Sequence, residues 1–396
     1  TAADTLTAAQ NVTAKTDKGN VELQKAVTAQ AGSIEGIALN GSVTADGSLS
    51  SGLDTHLKAV DAGTTDDPLL GNVTVNSSIT SGRNTKLESV QGNISVAGSV
   101  AAQGTVEAGT TNGNIDFTAT DGTVSGTSVQ ATVTGKGDIT SKEALQATSG
   151  DVSLTTNDGT ITTANVITAA QNVIANTDKG DIKVQKAVTA ENGSIDIETK
   201  AGAITATDTL KAAQNVTAQT DNGDVNISGA VEGTNGNVNI STKAGNVVAN
   251  STVTAGDDAN LKAQNNLTVN KAVTAGQNAN LTTEQGNLEV NGSVTAQQGN
   301  ANLQAGGEGA IHTQGNVVAG NDVNATTNNG NLTVDGSVTA QQGNANLQAG
   351  GEGAIHTQGN VVAGNDVNAT TNNGNLTVNG SVTAQQGNAN LQAGGE

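Results

Sequence analysis

Residues able to do chemistry recur in this chain at a fixed interval. His312 and His356 stand 44 residues apart, as do Glu308, Glu352 and Glu396, and likewise Asp322 and Asp366. Imidazoles and carboxylates are the usual ligands of zinc and calcium. Carboxylates set in pairs cleave glycosidic bonds. The spacing argues against each use. Equivalent positions two coils apart in a stacked β-structure lie about 10 Å from each other, too far for two imidazoles to share one ion. Two like charges at that distance in water repel by only about 0.4 kcal/mol, so an acidic ladder needs no counter-ion. The calcium pattern GGxGxDxUx is absent, although GGEGAIHT comes near it. His56 has no evident partner. The histidines read as solvent-facing repeat positions. No cofactor and no catalytic or metal-ligating residue is expected; structural calcium has only the acidic ladders in its favour.

The elements that carry these residues are repeats. Residues 292–335 and 336–379 are 44-residue copies that differ only at Asp335 against Asn379, and a third copy opens at Gly380. Each copy divides into two halves of 22, for example 332–353 and 354–375. The first half holds three alternating runs, Leu332/Val334, Val338/Ala340 and Ala345/Leu347/Ala349. The second holds Ile355/Thr357, Val361/Ala363 and Val367/Ala369/Thr371. A period of two turns these residues to one face, while Thr333, Thr339, Asn346, Gln348 and Asn368 point the other way. Gly and Asn punctuate the runs, as sharp corners require. Each half, with its three strands and three corners, makes one triangular coil, and stacked coils make an all-β parallel solenoid. Leu332, Val334, Val338, Leu347, Ile355, Val361 and Val367 form its core ladder. One coil buries too few small side chains to offset the entropy of ordering it, so its stability must come from its neighbours. With one half-copy per coil the chain makes about 18 coils, a rod of roughly 85–90 Å with no separate globular domain.

Upstream the same grammar persists with less identity. TAAQNVTAKTDKGNVELQKAVTA at 7–29 returns as TAAQNVIANTDKGDIKVQKAVTA at 168–190, and Leu267 and Leu288 open equivalent strands one coil apart. The chain thus reads as divergent solenoid repeats over 1–290 and near-identical ones over 291–396. The rhythm lapses once, at DAGTTDDPLLGN, residues 61–72, where Asp61, Asp66, Asp67 and Pro68 suggest a loop protruding from a corner. Phe117, the only aromatic residue, alternates with Ile115 and should point inward.

Composition excludes several functions. A net charge of −20, one arginine (Arg83) and no lysine after Lys271 disfavour nucleic acid and anionic membranes. No apolar run is long enough to span a bilayer, and no signal peptide is visible. Cysteine is absent, and with it disulfides and thiolate sites. A sugar-cleaving cleft would want aromatic platforms, and a solenoid lyase basic side chains, so an enzyme is not expected. Sequons such as NVT at 11–13 and NLT at 331–333 could accept glycans in a suitable host. Glu396 stands in mid-repeat without a polar cap, so more protein is expected beyond these residues.

Runs such as GNLTVDGSVTAQQGNANLQAGG and AGNDVNATTNNGNLTV resemble the repeat shafts of filamentous-haemagglutinin-like adhesins, bacterial exoproteins of the two-partner secretion type. The resemblance covers nearly the whole chain. It implies a right-handed parallel β-helix, export through an outer-membrane pore, a location at the cell surface, and a role in attachment or biofilm. The family's secretion domain with its NPNL-type motif has no counterpart in these residues and is expected upstream. The expected function is the shaft of an extracellular adhesin or surface fibre that holds a binding tip elsewhere, its receptor not readable here. The alternatives are a matrix fibre of subunits joined end to end and, far behind, a polysaccharide-active β-helix enzyme. The partner expected of these residues is the protein itself.

Overall fold

The computed structural model describes residues 1–60 and 71–395. The chain divides into two compact units, Thr1–Lys200 and Ala201–Glu396. Both are built from one element. Among the described residues there is no helix, only short parallel strands joined by corners. The triple arrangement appears early in unit 1. A five-residue strand, Val12–Thr16, is followed by two three-residue strands, Val21–Leu23 and Val27–Ala29, before the next broad strand, Ile34–Ala38. Each strand pairs only with its counterpart one coil away. Val12 faces Ile34, Val21 faces Val43, and Val27 faces Leu49. Three parallel sheets result, one broad and two narrow. The fold expected from the repeat, a parallel β-solenoid, is the fold observed.

Alternation decides which way each side chain faces. β-Branched residues favour a half-buried pleated strand, and alternation with polar residues turns them, with Leu and Ala, to one face. Away from the first and last coils, residues one, three and five of a broad strand are buried, as in Ala345–Ala349, and so in general are residues one and three of a narrow strand, as in Val338–Ala340. Leu332, Val334, Val338, Leu347, Ile355, Val361 and Val367 all lie within the core. Like stacks on like along it: Leu332 on Ile355 on Leu376, and Val338 on Val361 on Val382. Phe117 is fully buried on the strand Ile115–Phe117.

The two halves of the 44-residue unit are not equal. On the first narrow sheet the step from Leu332 to its partner Ile355 is longer than the step from Ile355 to Leu376. On the broad sheet the two steps, Ala345 to Val367 and Val367 to Ala389, are equal. The corner 350–354, GGEGA, is one residue longer than its counterpart 328–331, NNGN, and the shorter corner 364–366 restores the register. Gly351 makes the longer corner turn, with φ of 55° in the left-handed region.

Threonine at the fifth position of the broad strand ties the core to the corner beside it. Thr220 Oγ1 donates to the Gly202 carbonyl at 2.8 Å, and Thr242 to that of Gly223 at 2.7 Å. In the 44-residue copies Thr327 and Thr371 bond the carbonyls of Gly330 and Gly374 within their own corners. A buried hydroxyl thus finds its acceptor in a corner carbonyl.

Candidate functional site

Only the outward half of each strand can meet a partner, so the candidate surfaces are the sheet faces and corners. Two stand out, one in each unit, and both lie on a broad sheet.

In unit 1 the broad sheet carries a charged cluster. His56 Nε2 lies 2.8 Å from Glu88 Oε2; Lys58 Nζ is 3.6 Å from the same oxygen, and Lys86 Nζ is 3.0 Å from Oε1. Burial pushes the Glu88 carboxyl up, but His56, Lys86 and Lys58 together outweigh it and bring it down to about 2. Glu88 is therefore ionised at neutral pH and serves as an acceptor. One corner away Arg83 forks onto Asp54, with Nε donating to Oδ1 at 3.1 Å and an η nitrogen to Oδ2. The guanidinium, helped by amide donors from Asn84, holds the Asp54 carboxyl below its usual range against the opposing effect of burial. Gly109 leaves a notch beside the cluster, where a Cβ would meet no atom of the described residues within 4 Å. His56 thus has a partner that sequence reading missed. Strands Thr55–Ala59 and Thr85–Ser89 pair in register, Thr55 facing Thr85, although the chain between them is longer than a regular coil, because the lapse in the rhythm falls there. Counting by regular coils leaves His56 facing the wrong residue. Of the residues proposed for a protruding loop, Asp61, Asp66, Asp67 and Pro68 lie outside the described residues.

In unit 2 the broad sheet carries an asparagine ladder. Asn260 Nδ2 donates to Asn239 Oδ1 at 2.9 Å, and Asn280 to Asn260 at 2.8 Å. The series continues through Asn302, Asn324, Asn346, Asn368 and Asn390, each donating one coil back at 2.7–2.9 Å. Sequence reading placed Asn346 and Asn368 outward but did not see that each amide spans one coil's rise. The signal was available: Asn is the second residue of every broad strand from VNIST at 238–242 onward, save ordinary variation further upstream.

The acidic ladders have plain partners. Asp322 and Asp366 belong to a corner column in which each side-chain oxygen caps a backbone N–H of the next coil. Asp322 Oδ1 accepts from Asn344 and Asp366 Oδ1 from Asn388, both at 2.7 Å. Asn278, Asn300 and Asn344 do the same at equivalent corners. Glu308 and Glu352 each accept from an asparagine of the following coil, Asn329 and Asn373, at 3.2 Å. Glu396 lies outside the described residues. No three His, Cys, Asp or Glu side chains converge as a metal site among the described residues.

The one difference between the 44-residue copies falls on the histidines. His312 Nε2 is 3.0 Å from Asp335 Oδ2 in the next coil. The residue equivalent to Asp335 for His356 is Asn379, which donates to Gln358 Oε1 at 2.7 Å.

A buried carboxylate is a further surprise. Ile94 pairs with Ile115 and Val100 with Val124, and the second step is the longer, so the corner after Phe117 carries extra chain. Glu143 folds beneath that corner and is fully buried. Its Oε1 accepts from the Ala119 N–H at 3.3 Å, and Oε2 has no hydrogen-bond partner among the described residues. Burial, only partly offset by that hydrogen bond, raises the carboxyl to about 7.

No family model matches the chain, and neither does any curated protein or solved structure.

Proposed function

We propose that this chain is a stretch of the shaft of an extracellular filament, a bacterial adhesin or surface fibre whose binding tip lies outside these residues. The observation that supports it most is the stacking of like on like. Within unit 2 the copies pair residue on residue, so a further copy meets the same neighbours as the last and length grows without a new fold. The outward groups are in large part committed to the next coil, as asparagine ladder, corner caps and glutamate–asparagine bonds. Such a surface serves continuity more than recognition, and Trp, Tyr and Arg, the usual anchors of tight binding, are almost wholly missing. The likeness of the repeats to haemagglutinin-like shafts agrees with this reading and adds secretion through an outer-membrane pore.

Electron microscopy of the native material tests it. A continuous single-chain fibre that lengthens by about 10 Å for each added copy of the long repeat is the expected result. Regular subunit breaks would instead favour a matrix fibre assembled end to end.

A further inference from the structure

The negative charge of unit 2 is distributed unevenly. Beyond Lys271 the chain carries eight acidic residues and no Lys or Arg. The seven that are described lie at corners or on the first narrow sheet, Glu284, Glu308, Glu352, Asp322, Asp335 and Asp366 at corners and Glu289 on its strand, while the eighth, Glu396, is outside the described residues. Six successive strands of the broad sheet, from Ala279–Thr283 to Ala389–Gln392, carry no charge at all. In a chain of net charge −20 this is a face where another acidic molecule can approach without repulsion.

Its relief is regular. The asparagine ladder forms one ridge, and a column alternating Thr and Gln forms the other. Between them runs a shallow groove, with Asn324, Asn346 and Asn368 on one bank and Thr326, Gln348 and Thr370 on the opposite one. An equivalent groove recurs one copy earlier, at Asn280, Asn302 and Asn324. Each ladder asparagine from Asn260 to Asn368 spends one N–H and one lone pair along the ladder, and its amide carries a second of each. A ridge of amides with second donors and acceptors, running beside a parallel groove, is self-complementary in relief and in hydrogen bonding.

We propose that this neutral face pairs laterally with the same face of a second copy of the chain, amide ridge into groove, in an isologous contact. The interface goes beyond the shaft reading, since a shaft needs no lateral partner. Six strands at about 4.8 Å and five positions at about 3.3 Å give roughly 450 Å² per partner, near half of a standard interface. One array of this length therefore pairs weakly, and each added copy strengthens the pairing through added area. The count of near-identical copies thus sets association as well as length.

Sedimentation velocity of the full chain across a concentration series tests the pairing. The wild-type chain is expected to associate reversibly. Gln304→Glu with Gln348→Glu places carboxylates on both sides of the paired faces and should abolish association, while circular dichroism stays unchanged because both side chains are exposed. An equimolar mixture with the Gln304→Lys, Gln348→Lys variant should restore it as a mixed pair. Thr333→Glu with Thr377→Glu, on the first narrow sheet, should leave it intact. Removing residues 336–379 leaves four neutral strands of six and should weaken association about tenfold or more. A chain that stays monomeric overturns the proposal, as does association that survives the glutamates, which would mark end-to-end stacking. A monomer that binds microcrystalline cellulose through this face would also overturn it, in favour of a glycan surface.

Discussion

A hydroxyl inside a thin core has few places to turn. The threonines that end broad strands reach a corner carbonyl, but Thr313 and Thr357, third residues of narrow strands, are buried with Oγ1 unpaired among the described residues. Thr313→Val with Thr357→Val keeps the shape and removes both unsatisfied groups. Each substitution should stabilise the solenoid by about 1 kcal/mol, read as a higher denaturant midpoint with unchanged slope. Glu143 gives a pH signature. Its carboxyl rises from 4.5 to about 7 in the folded chain, so the folded state holds the proton more tightly than the unfolded one. Its contribution to stability is full below pH 4.5 and is lost as pH climbs through 7. Glu143→Gln should flatten that decline, followed by hydrogen exchange in strands Ile139–Ser141 and Ala144–Ala147. Glu88 has the opposite sign, its stabilisation fading only as pH falls from 4.5 toward 2, so the two windows do not overlap.

At the scale of the element, strand and corner respond differently to the same substitution. Gly351 sits at a φ of 55°, and an added Cβ would crowd Asn329 Oδ1. Gly351→Ala should cost about 1–2 kcal/mol, the usual penalty for a left-handed alanine. Gly109 lies outward in a strand with no atom of the described residues within 4 Å of an added Cβ, and Gly109→Ala should be neutral or stabilise by up to about 1 kcal/mol. Thermal unfolding of the two variants side by side checks both. The strands were legible because alternation of apolar and polar residues is a local signal. Every inward residue named for 332–371 is buried or, like Thr357 and Thr371, a buried threonine. Corner detail was not legible: the inequality of the half-repeats cancels over a whole copy, and only paired registers expose it.

At the scale of the molecule, register is the shared quantity. Deleting residues 336–379 joins Asp335 to Gly380, a residue identical to Gly336, and removes one long and one short coil together. Each remaining strand keeps a like neighbour, so the loss should be confined to nearest-neighbour stability. Deleting 345–355 instead sets corners against strands and should unfold several adjacent coils. Circular dichroism and limited proteolysis of the two deletions distinguish these outcomes; equal damage would contradict a two-coil repeat. The same dependence explains what sequence reading missed at His56. A partner on the facing strand can be found only if the length of the intervening chain is known, and here that strand lies further along than a regular coil would put it. The asparagine ladder was missed for another reason, since each asparagine viewed singly is an ordinary outward polar residue.

The asparagine ladder and the backbone bonds of unit 2 share one direction, from each coil to the next. Tension applied along it is carried in series: every junction bears the whole force, and none relieves another. The weakest junction then fixes the breaking load, and added copies make the array more extensible without making it stronger. A coil that lets go replaces about 4.8 Å of rise with roughly 75 Å of slack chain. Such a protein under tension behaves as a shock absorber, lengthening in coil-sized steps and dissipating a tug before it reaches whatever is attached at the far end.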